Sequence, residues 1–519
     1  MRYQRFLRKR YRAITSYTGL VCMIAGFAIL SPLIALLAYP EEAGLAWGFL
    51  IPGIGLSFLG FVCWRTFLPS KAETLTLQEG AVIATLSWLL AVIVGTLPFL
   101  LIADLNFTQA MFESTSGWTT TGLSVVDVTQ TSQLILLYRS IIELFGGAGL
   151  AIVTLSAIAG PVGASLTSAE GRTEQLAPNV RRSAKLVLVI YSGLCAIGTV
   201  ALWLAGVGWF DAVNHAFAAL STGGFSTRTD SIGYWDSPYV EAVTIVLMLF
   251  GGLNFVTIYL LLTGQLKSVV RNGQVRLQAV VIPVAAIAIF FGSAFTLYPT
   301  LGKAIRVSIF ESITALTTTG FSTVGYGDWN SLPWLMMLLL MLIGGGAGST
   351  AGGIKQLRIY ILYKALLTEA MEMVRPRGAI SETEIWQGEQ RRFISSDQVR
   401  QVALFVFLYL CIFFIGAAVI AGYGYPLQDS LFEYASTLST VGLSVGVTSA
   451  DAPAGVLWTQ IVGMFLGRLE FFTVFVGLVC FFRDLKPLLS GGAKESVSVV
   501  SKQRVSKQRV SKQRSKQAL

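Results

Sequence analysis

The chain has 519 residues, 54% of them hydrophobic and only 13% charged, with a mean hydropathy of +0.67. A soluble globular domain is about a quarter charged, so the composition excludes one and points to a membrane. The formal charge of +10 is spread over short inter-helix segments rather than gathered on one domain, which argues against a nucleic-acid partner.

In chain order, ten apolar runs are predicted to span: about 14–39, 45–68, 80–102, 133–160, 183–208, 239–264, 277–298, 332–346, 401–422 and 456–482. A spanning helix needs roughly 18 or more such residues; the eighth run is short and broken by glycines. The basic N-terminus leads straight into a full-length run, so no cleavable signal is expected. With the N-terminus inside, 33 of the 38 Lys and Arg fall on the cytoplasmic side, in 1–12, 65–71, 172–185, 267–276, 355–400 and 483–516. The exceptions are Arg139, Arg228, Lys303, Arg306 and Arg468. This bias predicts an N-in, C-in topology. The outward segments are acidic, with Asp104, Glu113, Asp127, Asp211, Asp230, Asp236, Glu241, Glu311, Asp328, Asp429, Glu433 and Asp451, and such a face concentrates cations. Cys22, Cys63, Cys195, Cys411 and Cys480 lie in or beside apolar runs without pairing or metal spacing and read as small core residues.

A motif recurs in each outward segment: "FESTSGWTTTGLS" (112–124), "NHAFAALSTGGFS" (214–226), "FESITALTTTGFS" (310–322) and "FEYASTLSTVGLS" (432–444). Aligned, it gives Gly122, Gly224, Gly320 and Gly442, each followed by Leu or Phe and then Ser. Nine residues earlier stand Glu113, His215, Glu311 and Glu433. A second apolar run follows each motif and carries its own punctuation: "FGG" (145–147), "FGG" (250–252), "IGG" (343–345) and "LGR" (466–468). The chain therefore reads as four copies of helix, re-entrant loop and helix after two extra spans. The expected units are 1–75 (extra spans), 76–175, 176–272, 273–395 and 396–490 (four repeats) and 491–519 (a basic tail). "TVGYGD" (323–328) matches a K⁺-channel filter signature, but it occurs once. A single copy cannot build a four-sided site, so Val324 to Asp328 is expected to be an outer-mouth loop.

Non-helical backbone at membrane depth is tolerated only where protein buries it or it lines a wet cavity. Four short helices, expected at about 109–119, 211–221, 307–317 and 429–438, would aim their carboxyl ends at one axis and favour a cation there. Glycine after each lets successive carbonyls turn inward.

On these motifs, together with "GGGAGSTAGGIK" (344–355) and "MFLGRLEFF" (464–472), the chain resembles the Trk/Ktr/HKT superfamily of cation transporters over about residues 1–490. It looks closest to the bacterial Trk-type potassium-uptake membrane subunits. The resemblance implies an all-α polytopic fold and K⁺ uptake across the bacterial inner membrane. By motif, the implied K⁺-coordinating backbone is Thr120, Thr121, Gly122 and Leu123; Thr222, Gly223, Gly224 and Phe225; Thr318, Thr319, Gly320 and Phe321; Thr440, Val441, Gly442 and Leu443. In related plant proteins, Ser at the first of these glycines goes with Na⁺ preference; all four are Gly here, which implies K⁺. The resemblance also implies a homodimer seated on a ring of separate NAD- and ATP-binding regulatory subunits.

Glycines make helix marginal across 344–353, and the resemblance assigns this segment an intramembrane gate: Gly344, Gly345, Gly346, Gly348, Ser349, Thr350, Gly352 and Gly353, with Lys355 and Arg468. A charge as deep as Arg468 is a functional candidate by default, either an electrostatic barrier or a latch on the gate loop. Glu470, two residues on, does not share its helix face. His215, Glu113, Glu311 and Glu433 read as structural braces rather than ion ligands, with a pH-sensing role for His215 the other reading. Gly346, Gly348 and Ala351, with Glu369 further on, mimic a dinucleotide fingerprint, but the preceding segment is a span and no βαβ unit follows. The 355–400 segment is too small for a nucleotide domain, so no nucleotide is expected on this chain, and its basic residues are candidate docking surface. The tail "SKQRVSKQRVSKQRSKQAL" (501–519) is low-complexity and basic, expected to be disordered and able to touch anionic lipid. One histidine and no Cys/His spacing argue against an enzyme. A Na⁺- or H⁺-coupled K⁺ symporter, or a less selective K⁺/Na⁺ uptake protein of the same fold, remains the alternative.

Overall fold

The architecture is that of a computed structural model, which describes residues 2–68, 75–149, 180–374, 383–387 and 390–489. The first helix, Arg2–Leu30, runs on through a 3-10 turn, Ser31–Leu37, and packs along Trp47–Phe67. Glycines let the two backbones touch, because a Cβ on Gly60 would strike the Gly19 carbonyl and one on Gly26 would meet Ser57.

Four helix–short helix–helix units follow. They are Leu77–Ile102, Phe107–Trp118 and Gln133–Ala148; Val180–Leu204, Trp209–Ser221 and Pro238–Gly252; Gly273–Ile289, Leu301–Leu316 and Ser331–Ile343; and Ser396–Gly422, Leu427–Leu438 and Ala454–Arg468. Capping boxes start three of these helices: Thr76 with Glu79, Asn106 with Gln109, and Ser395 with Gln398. The short helices lie close to the expected ranges, except that the third starts earlier, at Leu301. Their apolar residues Phe112, Phe310 and Phe432 are fully buried, whereas Phe58, Phe291, Phe407 and Phe475 on the long helices are exposed. Buried polar motifs with large apolar side chains exposed on the long helices are the arrangement of a membrane protein. Three large apolar clusters join neighbouring units, so the units form one body.

Among the described residues, six helices are long and apolar enough to cross a membrane, or eight if each sharply bent pair is one span. The predicted spans at 239–264 and 456–482 are each sharply bent. Pro238–Gly252 turns by 119° into Phe255–Leu262, and Ala454–Leu469 by 98° into Phe471–Leu485. At the first bend the Asn254 side chain caps a new helix by accepting from the Val256 amide (2.7 Å). At the second, Glu470 sits in the left-handed region and pairs with Arg358 at 2.7 Å. The 332–346 run is a helix of 13 residues, Ser331–Ile343. The second half of the 133–160 run, the 175/176 repeat boundary and the 491–519 tail lie outside the described residues. The 355–400 segment holds a helix, Gln356–Val374, and an antiparallel hairpin, Thr383–Gln387 with Gln390–Ile394, which helical periodicity did not suggest. All five cysteines are unpaired; Cys63 and Cys411 are half-buried, and only Cys22, Cys195 and Cys480 are core.

Candidate functional site

The four motifs have one backbone conformation. After each short helix a threonine turns left-handed: Thr120 (φ 55°), Thr222 (54°), Thr318 (53°) and Thr440 (51°). The amide of the next residue reaches back to close the helix end, Thr121 to Ser116 O (2.8 Å), Gly223 to Ala218 O (2.9 Å), Thr319 to Thr314 O (3.0 Å) and Val441 to Ser436 O (2.8 Å). Helices ending this way normally place Gly at the left-handed position. A β-branched residue there is an outlier that costs about 1–3 kcal/mol, and such strain gathers at functional sites. Hydroxyl pairs steady two of the turns, Thr119 with Thr121 and Thr317 with Thr319, both at 2.8 Å.

The glycines that follow have φ of 84°, 81°, 85° and 102° at Gly122, Gly224, Gly320 and Gly442, and they close a ring. A Cβ on Gly122 would land on the Gly223 carbonyl oxygen; on Gly224, on that of Thr319; on Gly320, on that of Val441; on Gly442, on that of Thr121. First touches second, second third, third fourth, and fourth first. The four glycines and the four serines two positions on, Ser124, Ser226, Ser322 and Ser444, line one cavity of about 650 Å³.

Each strand is braced from its own short helix. Glu113 accepts from Ser124 Oγ (2.9 Å) and the Val125 amide (3.1 Å) and pairs with Arg139 at 2.7 Å. Glu311 accepts from the Thr323 amide (2.9 Å), and Glu433 from Ser444 Oγ (2.8 Å) and the Val445 amide (3.0 Å). His215 does the same work with different atoms, Nε2 meeting Ser226 Oγ at 2.9 Å and Nδ1 the Asp211 carbonyl at 2.7 Å. Its second-unit strand also takes Arg139 Nη1 at the Ser226 carbonyl (3.0 Å). Tyr326 of "TVGYGD" donates to Glu311 at 2.6 Å, and Val324, Gly325 and Tyr326 line the cavity wall beyond the glycine ring. Asp127 stands at the same mouth. Hydrogen bonds from the Thr129 hydroxyl and amide hold its carboxyl below the usual carboxylate range, so it stays charged.

On the opposite side of the ring lies the glycine-rich loop, between Ile343 and Gln356. It is tied to every unit. Gly346 donates to the Gly252 carbonyl (2.9 Å), and Thr350 Oγ1 to those of Leu220 (3.0 Å) and Gly251 (2.9 Å). Gly352 donates to Thr318 Oγ1 (2.7 Å), and a Cβ on it would strike the Ser439 carbonyl. Arg468 donates to the carbonyls of Thr350 (2.6 Å), Gly147 (3.3 Å) and Gly146, joining the loop to the fourth unit and the first. Gly344 and Gly353 pack on each other, Gly345 donates to the Gly352 carbonyl (3.3 Å), Gly348 approaches Asn254, Ser349 Oγ donates to the Gly346 carbonyl (2.6 Å), and Lys355 Nζ to that of Ala351. Two supports were not foreseen: Gln274 accepts from the Ala347 amide (2.7 Å), and Gln356 donates to the Gly344 carbonyl (3.0 Å). A single Gln carries no sequence signal. The motif marks these threonines as ion-coordinating backbone, but nothing in their spacing reveals the left-handed turn.

Fold and site together define a multi-pass membrane protein in which the segments after four short helices meet around one polar cavity. The chain belongs to the TrkH family of cation transport proteins, whose model matches residues 55–482. It is 32% identical over 477 residues to an uncharacterized cation transporter of Methanocaldococcus jannaschii, covering 91% of this chain and 96% of that one. It is 31% identical over 485 residues to the Trk system potassium uptake protein TrkH of Escherichia coli K12, covering 90% and 98%. The crystal structure of the potassium transporter TrkH from Vibrio parahaemolyticus superposes with a TM-score of 0.79 at 28% identity, covering 91% of this chain and 98% of the other. These relatives are transport proteins rather than enzymes.

Proposed function

We propose that this chain is a gated K⁺ uptake pathway. The carbonyls of 120–123, 222–225, 318–321 and 440–443 replace the hydration shell of a K⁺ ion, the transported species, and the loop 344–353, latched by Arg468, closes the path beneath it. The observation that carries this reading is the closed ring of glycines, each packed on the next unit's carbonyl. Carbonyls arranged in this way select cations by number and spacing, and four helix carboxyl ends add partial negative charge. Shared left-handed threonines support the equivalence of the four units. The potassium uptake named for the Escherichia coli and Vibrio relatives supports the choice of ion.

The same reading takes in the ten spans, the four repeats at 76–175, 176–272, 273–395 and 396–490, the N-in, C-in topology and a bacterial inner-membrane location. It also takes in a homodimer and a separate nucleotide-binding regulatory ring docked on the loop-side face, where Gln356–Val374 and the hairpin project. Purified protein in proteoliposomes is expected to take up Rb⁺ in preference to Na⁺, with K⁺ competing more strongly than Na⁺. Equal Rb⁺ and Na⁺ uptake, or uptake that stops without a Na⁺ or proton gradient, would refute a selective uncoupled pathway.

A further inference from the structure

Three of the four strands carry a side chain just before the ring glycine: Thr121, Thr319 and Val441. The second carries none, being Gly223. Its place is filled from the neighbouring unit. Glu143, on the helix Gln133–Ala148, is wholly buried, and a Cβ on Gly223 would lie 2.6 and 2.7 Å from its two carboxyl oxygens. Its Oε1 accepts from the Phe225 amide at 3.0 Å, one residue past the ring glycine, while Oε2 makes no hydrogen bond among the described residues.

The other units show what normally stands there. Glu143 lies two residues before the "FGG" punctuation, and the same register gives Met248, Met341 and Met464, all fully buried. Each methionine belongs to the same apolar cluster as the next strand round the ring: Met248 with Phe321, Met341 with Val441 and Leu443, and Met464 with Leu123. The strands with a side chain thus share an apolar cluster with a methionine, and the one strand without meets a carboxyl group in the same register. A lone buried carboxyl oxygen is costly, so packing alone does not account for the choice of Glu.

Resting on the reading of these strands as a filter, we propose that Glu143 is a positioning residue. Its carboxyl group occupies the space left by Gly223 and holds the Phe225 amide, fixing the second strand at the spacing that discriminates between cations. Glu143 and Gly223 form an exchangeable pair with the Met and Thr pairing of the other junctions.

The test is the Rb⁺/Na⁺ uptake ratio in proteoliposomes at matched protein amount. Losing one buried hydrogen bond to the Glu143 carboxyl group predicts that Glu143→Met lowers the ratio about fivefold or more. Glu143→Gln, which keeps an acceptor, recovers at least about half of that loss on the same footing. Gly223→Thr alone also lowers it, because its side chain meets the carboxylate. The double variant Glu143→Met with Gly223→Thr raises the ratio above either single variant. A double variant no better than the worse single one, or Glu143→Met at the wild-type ratio, overturns the proposal. If Glu143→Met is not recovered in the membrane, Gly223→Ser alone decides: a ratio equal to wild type overturns the proposal. Gly320→Ser is run alongside. Should it leave the ratio untouched as well, the filter reading itself has failed; a response there with none at Glu143 removes only the present proposal.

Discussion

Gly320→Ser is expected to cut Rb⁺ uptake at least tenfold and to narrow the preference over Na⁺. Gly320 sits at φ 85°, where an L residue is strained by about 1–3 kcal/mol. Its new Cβ would also fall on the Val441 carbonyl and crowd the Gly442 backbone, and overpacking costs about 1–3 kcal/mol more. Neither atom can yield without moving a strand, because Val441 is fixed to Ser436 and Gly442 to the Ser436 hydroxyl at 3.0 Å. The distortion therefore passes into the fourth strand. Two effects of this size, at about 1.4 kcal/mol per factor of ten, set the tenfold lower bound. Uptake of Rb⁺ and Na⁺ at wild-type rates and ratio would sink the ring as the selecting element.

The second large effect is expected at Arg468. Arg468→Ala should raise basal Rb⁺ flux about tenfold or more, because the side chain makes hydrogen bonds from a charged donor worth about 1.5–3 kcal/mol each. Those bonds join the loop at Thr350 to Gly146 and Gly147 of the first unit. Removing them also removes a positive charge close to the route of the ion, which acts in the same direction. Deleting part of 346–352 should raise flux as well, and Thr350→Val more modestly, since it loses the bonds to Leu220 and Gly251 but keeps the Arg468 contact to the main chain. Flux in Arg468→Ala that equals or falls below wild type would show that Arg468 does not hold the path shut.

The large features were readable because they repeat. A glycine with Leu or Phe and Ser after it, four times over, locates the ring; three glutamates and a histidine nine residues earlier locate the braces. The punctuation "FGG", "FGG", "IGG" and "LGR" falls where the helices end, at Ala148, Gly252, Ile343 and Arg468. What stayed hidden depends on contacts between units that are far apart in sequence. Glu143 looks like one buried acid in an apolar run until the ring places it behind Gly223. The 119° and 98° bends were invisible to hydropathy, which sums apolar residues and is blind to direction. The left-handed threonines defy propensity, because the packing of four units overrides the local preference for glycine.

The most direct measurement is anomalous diffraction from crystals grown in Rb⁺ or Tl⁺. A peak is expected on the axis enclosed by Gly122, Gly224, Gly320 and Gly442, within coordinating distance of carbonyls from all four strands and weakened when Na⁺ replaces the heavy cation. A well-ordered ring with no peak on that axis, or with the cation bound instead between two units away from the glycines, would contradict it.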